Sequence, residues 1–173
     1  SDLKPGQVKG VVLNPMQQSE PSKQAIFMNA DFTWNLWTST DHANQAWEDS
    51  FPYVDHNSPV ATAGSGALKA LSGHALRMYG GGATWENGES ADIKEALTAF
   101  RTKLASGTVT EDDVDSMTAI FTELKEIAAS YRASAGNKDM LEQISSWVDA
   151  MEEQSEAALL ELEAVKADLA GDT

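Results

Sequence analysis

Only one stretch of this sequence reads as a β-strand, and no second one of like quality follows it. Val8, Val11, Val12 and Leu13 form a short apolar run over residues 8–13, and Asn14-Pro15 stops it. Strands this apolar are usually covered on both faces, as in parallel sheets. A lone strand cannot satisfy its own ladder hydrogen bonds. The run is therefore expected either to pair with another copy of the chain or to belong to a sheet whose other strands lie upstream of these 173 residues.

A helix is expected at once, over residues 20–36. Ser19 is placed to cap it, Glu20 suits the positive end of its dipole, and Pro21 sits in the first turn, where a missing N–H does no harm. Ala25, Ile26, Phe27, Ala30, Trp34 and Leu36 make it apolar over much of its circumference, the pattern of a helix packed on a sheet or between layers. Strand, short polar turn and inward-facing helix together read as the last β/α unit of something larger.

The remainder reads as helix. A short helix begins at Asp41, carries Trp47 and ends near Phe51-Pro52. Ser58-Pro59 opens another that runs to about residue 78, with Gly64-Ser65-Gly66 weakening its first turns. Gly80-Gly81-Gly82 then breaks the chain ahead of a loop holding Trp85 and Asn87-Gly88. Three strongly periodic helices follow. Ser90 caps residues 91–105, striped by Ile93, Ala96, Leu97, Phe100 and Leu104, and Gly107 ends them. Thr110 caps residues 111–133, where Val114, Met117, Ile120, Phe121, Leu124, Ile127, Ala128 and Tyr131 are spaced as a core face. Gly136-Asn137 turns the chain into a helix over 139–170, about 45 Å long. Short connections favour antiparallel neighbours and hence a bundle.

Charge narrows the partners. Acidic residues outnumber basic ones 27 to 12, and a net charge of −15 repels polyphosphate, so nucleic acid is not an expected partner. No apolar run approaches the ~20 residues of a spanning helix, so no membrane partner is expected. The absence of cysteine removes disulfides and zinc–thiolate sites without fixing the compartment.

Most residues that could carry chemistry have simpler roles. Asp112-Asp113 has the form of a paired-carboxylate site, yet its place in the first turn of a surface helix suits the helix dipole. His42, His56 and His74 have no i, i+3 or i, i+4 spacing, so no metal site is expected, and no cofactor. The triple glycine lacks the preceding strand and the GK[ST] of a phosphate loop. The acidic side of the last helix (Glu142, Asp149, Glu152, Glu153, Glu156, Glu163) reads as a solvated face. Trp34 and Trp147 lie on apolar stripes and are expected in the core. Trp85, in a polar glycine-rich loop, can stack on a sugar or a partner's side chain, or cap a nearby helix. Asn14 stands where the strand emerges. In β/α architectures strand carboxyl ends carry ligand groups, and an amide both donates and accepts, as a sugar hydroxyl requires. Asn-Pro is also a common turn starter, and both readings of Asn14 stand.

Leu13-Asn14-Pro15-Met16-Gln17-Gln18, with Glu20, Ser22-Lys23 and Ala30-Asp31-Phe32-Thr33-Trp34-Asn35, resembles the end of the catalytic barrel in bacterial glycoside hydrolase family 84. That family comprises β-N-acetylglucosaminidases, including enzymes known as hyaluronidases and O-GlcNAcase-like enzymes. The resemblance is dense over residues 8–37. It continues more loosely through Trp47-Glu48-Asp49-Ser50-Phe51, Gly136-Asn137 and Ile144-Ser145-Ser146-Trp147. It implies a mainly α fold: an antiparallel helical bundle preceded by one orphan β-strand and helix from a truncated (β/α)8 barrel. Residues 1–37 would be the barrel remnant and residues 38–173 the post-catalytic bundle. The family's catalytic aspartate pair lies far upstream, after the fourth strand. One aspartate orients the substrate's own acetamido group as nucleophile and the other is the general acid/base. Neither falls on this chain, and Asp112-Asp113 does not stand in for them.

The resemblance assigns Asn14 to hydrogen bonds with sugar hydroxyls in the −1 subsite, and Trp85 loosely to an aromatic on the aglycone side. The implied role is that of a non-catalytic C-terminal domain of an enzyme that removes terminal β-linked N-acetylglucosamine by substrate-assisted, retaining catalysis. This chain alone would be inactive. Its implied partners are the upstream barrel and, in the whole enzyme, an N-acetylglucosamine-containing glycan; the implied setting is secreted or on a bacterial cell surface. With the barrel absent, the segment before Trp37 is expected to be disordered, repacked on the bundle, or paired in a dimer. The alternative is an independent protein- or glycan-binding helical module.

Overall fold

Six helices form among the described residues: α1 Ser19–Asn35, α2 Thr40–His56, α3 Ala63–Ala75, α4 Ala91–Ser106, α5 Glu111–Ser134 and α6 Lys138–Ala170. A computed structural model describes residue 4 and residues 6–75 and 91–171 of the chain. The mainly helical expectation holds.

The strand expected at residues 8–13 does not form, and no strand is present among the described residues. The segment is irregular and open, with Val12 97% exposed. The reason is the ladder problem: none of the described residues offers this segment an edge to pair with. Gly10 within it and Pro15 after it disfavour helix as the substitute. The strand and the barrel remnant are therefore not seen here.

The chain divides into two compact units, Ser1–Lys69 with Ala133–Ser145, and Ala70–Arg132 with Ser146–Thr173. In the first unit α1 lies along α2, with Phe27 stacked on Tyr53 at 5.3 Å between ring centres. Ala46, Phe51, Val54, Leu68, Ala135 and Met140 are buried. α2 was expected to stop near Phe51-Pro52, but it runs through Pro52 to His56. A proline inside a helix costs about 3 kcal/mol. Here Phe51, Pro52, Val54 and Asp55 are all buried, which offsets that cost. Asn57 then closes the helix in the left-handed conformation, φ 55°.

α3 starts at Ala63 rather than at Ser58-Pro59. The hydroxyl of Ser58 is used locally, accepting the Val60 N–H at 3.2 Å. The cap is Thr62, whose hydroxyl accepts the Ser65 N–H at 3.2 Å while the Ser65 hydroxyl accepts the Thr62 N–H at 2.9 Å.

The second unit is built on the expected stripes. Val114, Met117 and Leu162 form a buried cluster packed by Ala96, Leu97, Phe100, Val109, Ile120, Phe121 and Val165. Three ion pairs show that α5 and the outer part of α6 run antiparallel. Descending α5, Arg132, Lys125 and Asp115 meet Asp149, Glu156 and Lys166 in ascending order on α6. Thr110 caps α5 as expected: its hydroxyl accepts the Asp113 N–H at 3.3 Å, and Asp113 accepts the Thr110 N–H at 3.0 Å. Gly107, at φ 67°, ends α4.

Two tryptophans expected in the core are not there. Trp34 is 88% exposed and Trp147 58% exposed. Ile26 and Ala30, on the stripe of Trp34, are exposed with it, whereas Val148, next to Trp147, is fully buried.

Candidate functional site

The turn carrying Asn14 leads directly into α1, and several segments distant in sequence hold the entry of that helix. The cap lies at Gln18, not Ser19, and the Gln18 side chain makes no capping bond. The Glu20 N–H of the first turn is met from elsewhere. Gln143 of α6 accepts the Glu20 N–H on Oε1 at 3.0 Å and donates from Nε2 to the Ser19 hydroxyl at 3.3 Å. Its backbone carbonyl accepts Nε2 of Gln18 at 3.1 Å. Ser22, which is buried, closes the turn: its hydroxyl accepts the Met16 N–H at 3.1 Å and donates to the Gln18 carbonyl at 2.7 Å.

Glu20 continues this network. It is nearly buried, and its Oε2 takes hydrogen bonds from Lys23 Nζ at 2.5 Å and Asn137 Nδ2 at 2.6 Å. Those bonds, Lys23 first, hold its carboxyl below the usual range against the opposing effect of burial. Asn137 also donates to the Val54 carbonyl at 3.0 Å and caps α6 by accepting the Met140 N–H at 2.9 Å.

Beneath it lies Asp55, 2% exposed, whose Oδ1 accepts the Gly136 N–H at 2.8 Å and the Asn137 N–H at 3.4 Å. Its Oδ2 lies 3.2 Å from His56 Nδ1 and accepts the Thr62 hydroxyl at 3.4 Å. Two glycines make room for this carboxylate. A Cβ on Gly136 would stand 2.7 Å from Asp55 Oδ2, and one on Gly64 would stand 2.8 Å from it and 2.3 Å from the Ser134 carbonyl. Gly64 is therefore a packing residue, not the weak point its glycine suggested.

Asn14 itself is exposed, as are Pro15 and Met16. Its amide is free to both donate and accept, on a turn fixed from behind. Trp85, with the triple glycine and Ser90, lies outside the described residues. Of the two residues expected to contact sugar, Asn14 alone is among the described residues.

Asp112-Asp113 does not form an acid/base pair. Asp113 is committed to Thr110 and to Lys103 at 2.6 Å, and these partners, Lys103 first, hold its carboxyl low, so it stays ionised. Among the described residues no three of His, Cys, Asp and Glu gather as a metal site would require, and no helix is long and apolar enough to cross a membrane.

α1 is amphipathic the wrong way round for a self-contained fold. The face turned to α2 and α6 carries Glu20, Gln24 and Phe27, with Gln24 bonded to the buried Ser50 hydroxyl. Ile26, Ala30 and Trp34, spaced four apart on the other side, are exposed together with Val8, Val11, Val12, Leu13 and Met16. The expectation that Ala25, Ile26, Ala30 and Trp34 face inward is corrected: in this chain the polar side is the one that packs.

Residues 1–72 match the family model described as beta-N-acetylglucosaminidase. The matched stretch holds the Asn14 turn, all of α1 and α2, and most of α3. It relates that part of the chain to this glycosidase family. The match ends ahead of Asn137 and Gln143, which the structure brings against it.

Asp55, Gly64 and Gln143 were not anticipated as a group. Gly136-Asn137 ahead of a periodic helix carried a readable cap signal, whereas nothing in the neighbourhood of Gln143 marks it as the partner of a helix more than a hundred residues earlier.

Proposed function

We propose that this chain is the non-catalytic C-terminal part of a family 84 glycoside hydrolase, an enzyme that removes terminal β-linked N-acetylglucosamine by substrate-assisted, retaining catalysis. The observation that carries the reading is the family match over residues 1–72, the stretch that includes the Asn14-Pro15-Met16-Gln17-Gln18 turn.

The exposed apolar side of α1 supports it. Contiguous apolar surface of this kind marks an interaction site. The partner proposed is the upstream catalytic barrel of the same polypeptide, with residues 8–13 supplying its last strand and α1 its last helix. Asn14 then stands at the carboxyl end of that strand, where a barrel places its ligand groups, and its amide binds sugar hydroxyls.

The test is hydrolysis of an aryl N-acetylglucosaminide. The 173-residue chain alone is expected to give no turnover. The polypeptide that also carries the barrel is expected to turn over, and Asn14→Ala in it to lower kcat/KM about 10- to 100-fold, as loss of a positioned hydrogen bond does. Robust turnover by the chain alone would defeat the proposal. Glycan or protein capture by the chain alone, with no gain in its stability on adding the barrel, would replace it with an independent binding module.

A further inference from the structure

The proposed role of Asn14 leaves open what keeps its turn in place, since Asn14 is exposed and its neighbours on the N-terminal side are irregular. The geometry points to Gln143 as a positioning residue for Asn14: an α6 side chain, outside the family-matched stretch, fixes the entry of α1 and through it the 14–18 turn. This rests on the reading of Asn14 as a sugar-binding residue.

Three contacts carry the inference. Gln143 meets Gln18, Ser19 and Glu20 through its backbone carbonyl, Nε2 and Oε1 respectively. It thereby takes over the capping that the Gln18 side chain does not perform. The held residues pass the constraint back toward Asn14, because Ser22 ties the Met16 N–H to the Gln18 carbonyl through one buried hydroxyl. The start of α6 is itself anchored. Asp55 accepts the Gly136 and Asn137 N–H groups, and Asn137 binds both Glu20 and the Val54 carbonyl. Gln143 therefore reaches the turn from a fixed base, which is what a positioning residue needs.

Two measurements test this. In the 173-residue chain, Gln143→Met keeps the length of the side chain and removes both its polar atoms. Amide hydrogen exchange read by NMR should then speed up by about tenfold at Glu20, and also at Met16. Gln143→Glu keeps an acceptor for the Glu20 N–H and should restore its protection. Leu68→Ala, a buried-core change away from the turn, should lower overall stability without singling out these two amides. Unchanged exchange at Glu20 and Met16 in Gln143→Met overturns the inference.

In the barrel-bearing polypeptide, Gln143→Met should lower kcat/KM for the aryl N-acetylglucosaminide, and should add nothing further in an Asn14→Ala background. Additive losses would mean a merely structural role and overturn the inference. If Asn14→Ala alone leaves hydrolysis unchanged, the sugar-binding reading of Asn14 fails, and the exchange data still decide whether Gln143 holds the turn.

Discussion

Gly64 and Gly66 lie two residues apart on α3, and replacing each with alanine should move stability in opposite directions. At Gly66 an added Cβ meets nothing within 4 Å. Alanine there gains helix propensity and narrows the unfolded ensemble, so Gly66→Ala should stabilise by about 0.5–1 kcal/mol. At Gly64 the same gain applies, but the Cβ would stand 2.3 Å from the Ser134 carbonyl oxygen, 2.8 Å from Asp55 Oδ2 and 3.1 Å from the Gly136 nitrogen. Two of those atoms are backbone at the end of α5 and the turn after it, so no flexible side-chain tip can swing aside. Relief requires α3 to draw back by roughly 1 Å, which overpacking studies put at about 1–3 kcal/mol. The movement also disturbs the Asp55 bonds to Gly136 and Thr62, at about 1 kcal/mol for each bond. The net expectation for Gly64→Ala is a loss of about 3 kcal/mol. In urea unfolding followed by circular dichroism, the midpoint should fall for Gly64→Ala and rise for Gly66→Ala, with unchanged slopes. A rise for both variants would refute the claim that α3 and the α5–α6 turn meet through backbone contact at Gly64.

Two further outcomes follow from the same network. Asp55→Ala should destabilise by about 3 kcal/mol in the same assay, because it removes the acceptor of the Gly136 and Asn137 N–H groups and of the Thr62 hydroxyl, at about 1 kcal/mol for each bond; a loss under about 1 kcal/mol would mean that solvent replaces those bonds. Glu20→Gln should flatten part of the acid limb of a Tm-against-pH profile: the folded-state pKa of Glu20 is lowered, so its contribution is full above the ordinary glutamate range near about pH 4.3 and fades as pH falls through the lower folded value. Parallel acid limbs for the two proteins would contradict that assignment.

Reading along the chain worked where one element explains itself. The stripe on α5 is the clearest case: Val114, Met117, Leu124, Ala128 and Tyr131 are all buried, and Thr110 caps the helix as its position predicted. Caps and stripes are local or periodic signals, and a packed helix pair preserves both. The start of α3 escaped because Ser58-Pro59 and Thr62-x-x-Ser65 both have the form of a helix start, and only the second makes reciprocal bonds. The Asp55 cluster escaped for a different reason. Its members come from α2, from the residues leading into α3 and from the α5–α6 turn, and each looks ordinary alone: an acid near a helix end, a glycine near a helix start, a Gly-Asn turn.

α1 shows the limit of periodicity most clearly. A stripe of Ile26, Ala30 and Trp34 says that a face is apolar; it does not say which surface covers it. In this chain the opposite face packs, held by directional bonds at Glu20, Gln24 and the Gln143 cap, while the apolar side remains open. Hydrogen bonds fix register and orientation better than hydrophobic contact does, because they fail at small displacements. An arrangement that spends its specific contacts on one side of a helix and leaves its non-directional surface on the other suits the docking proposed above: the first side sets where Asn14 stands, and the second would supply the area for the proposed partner. Both sides belong to the same seventeen-residue helix, so under the proposed function a change that loosens the Gln143 cap should weaken the proposed barrel docking and sugar contact together, whereas removal of Trp34 should weaken that docking and leave the amide exchange of the 14–18 turn unchanged.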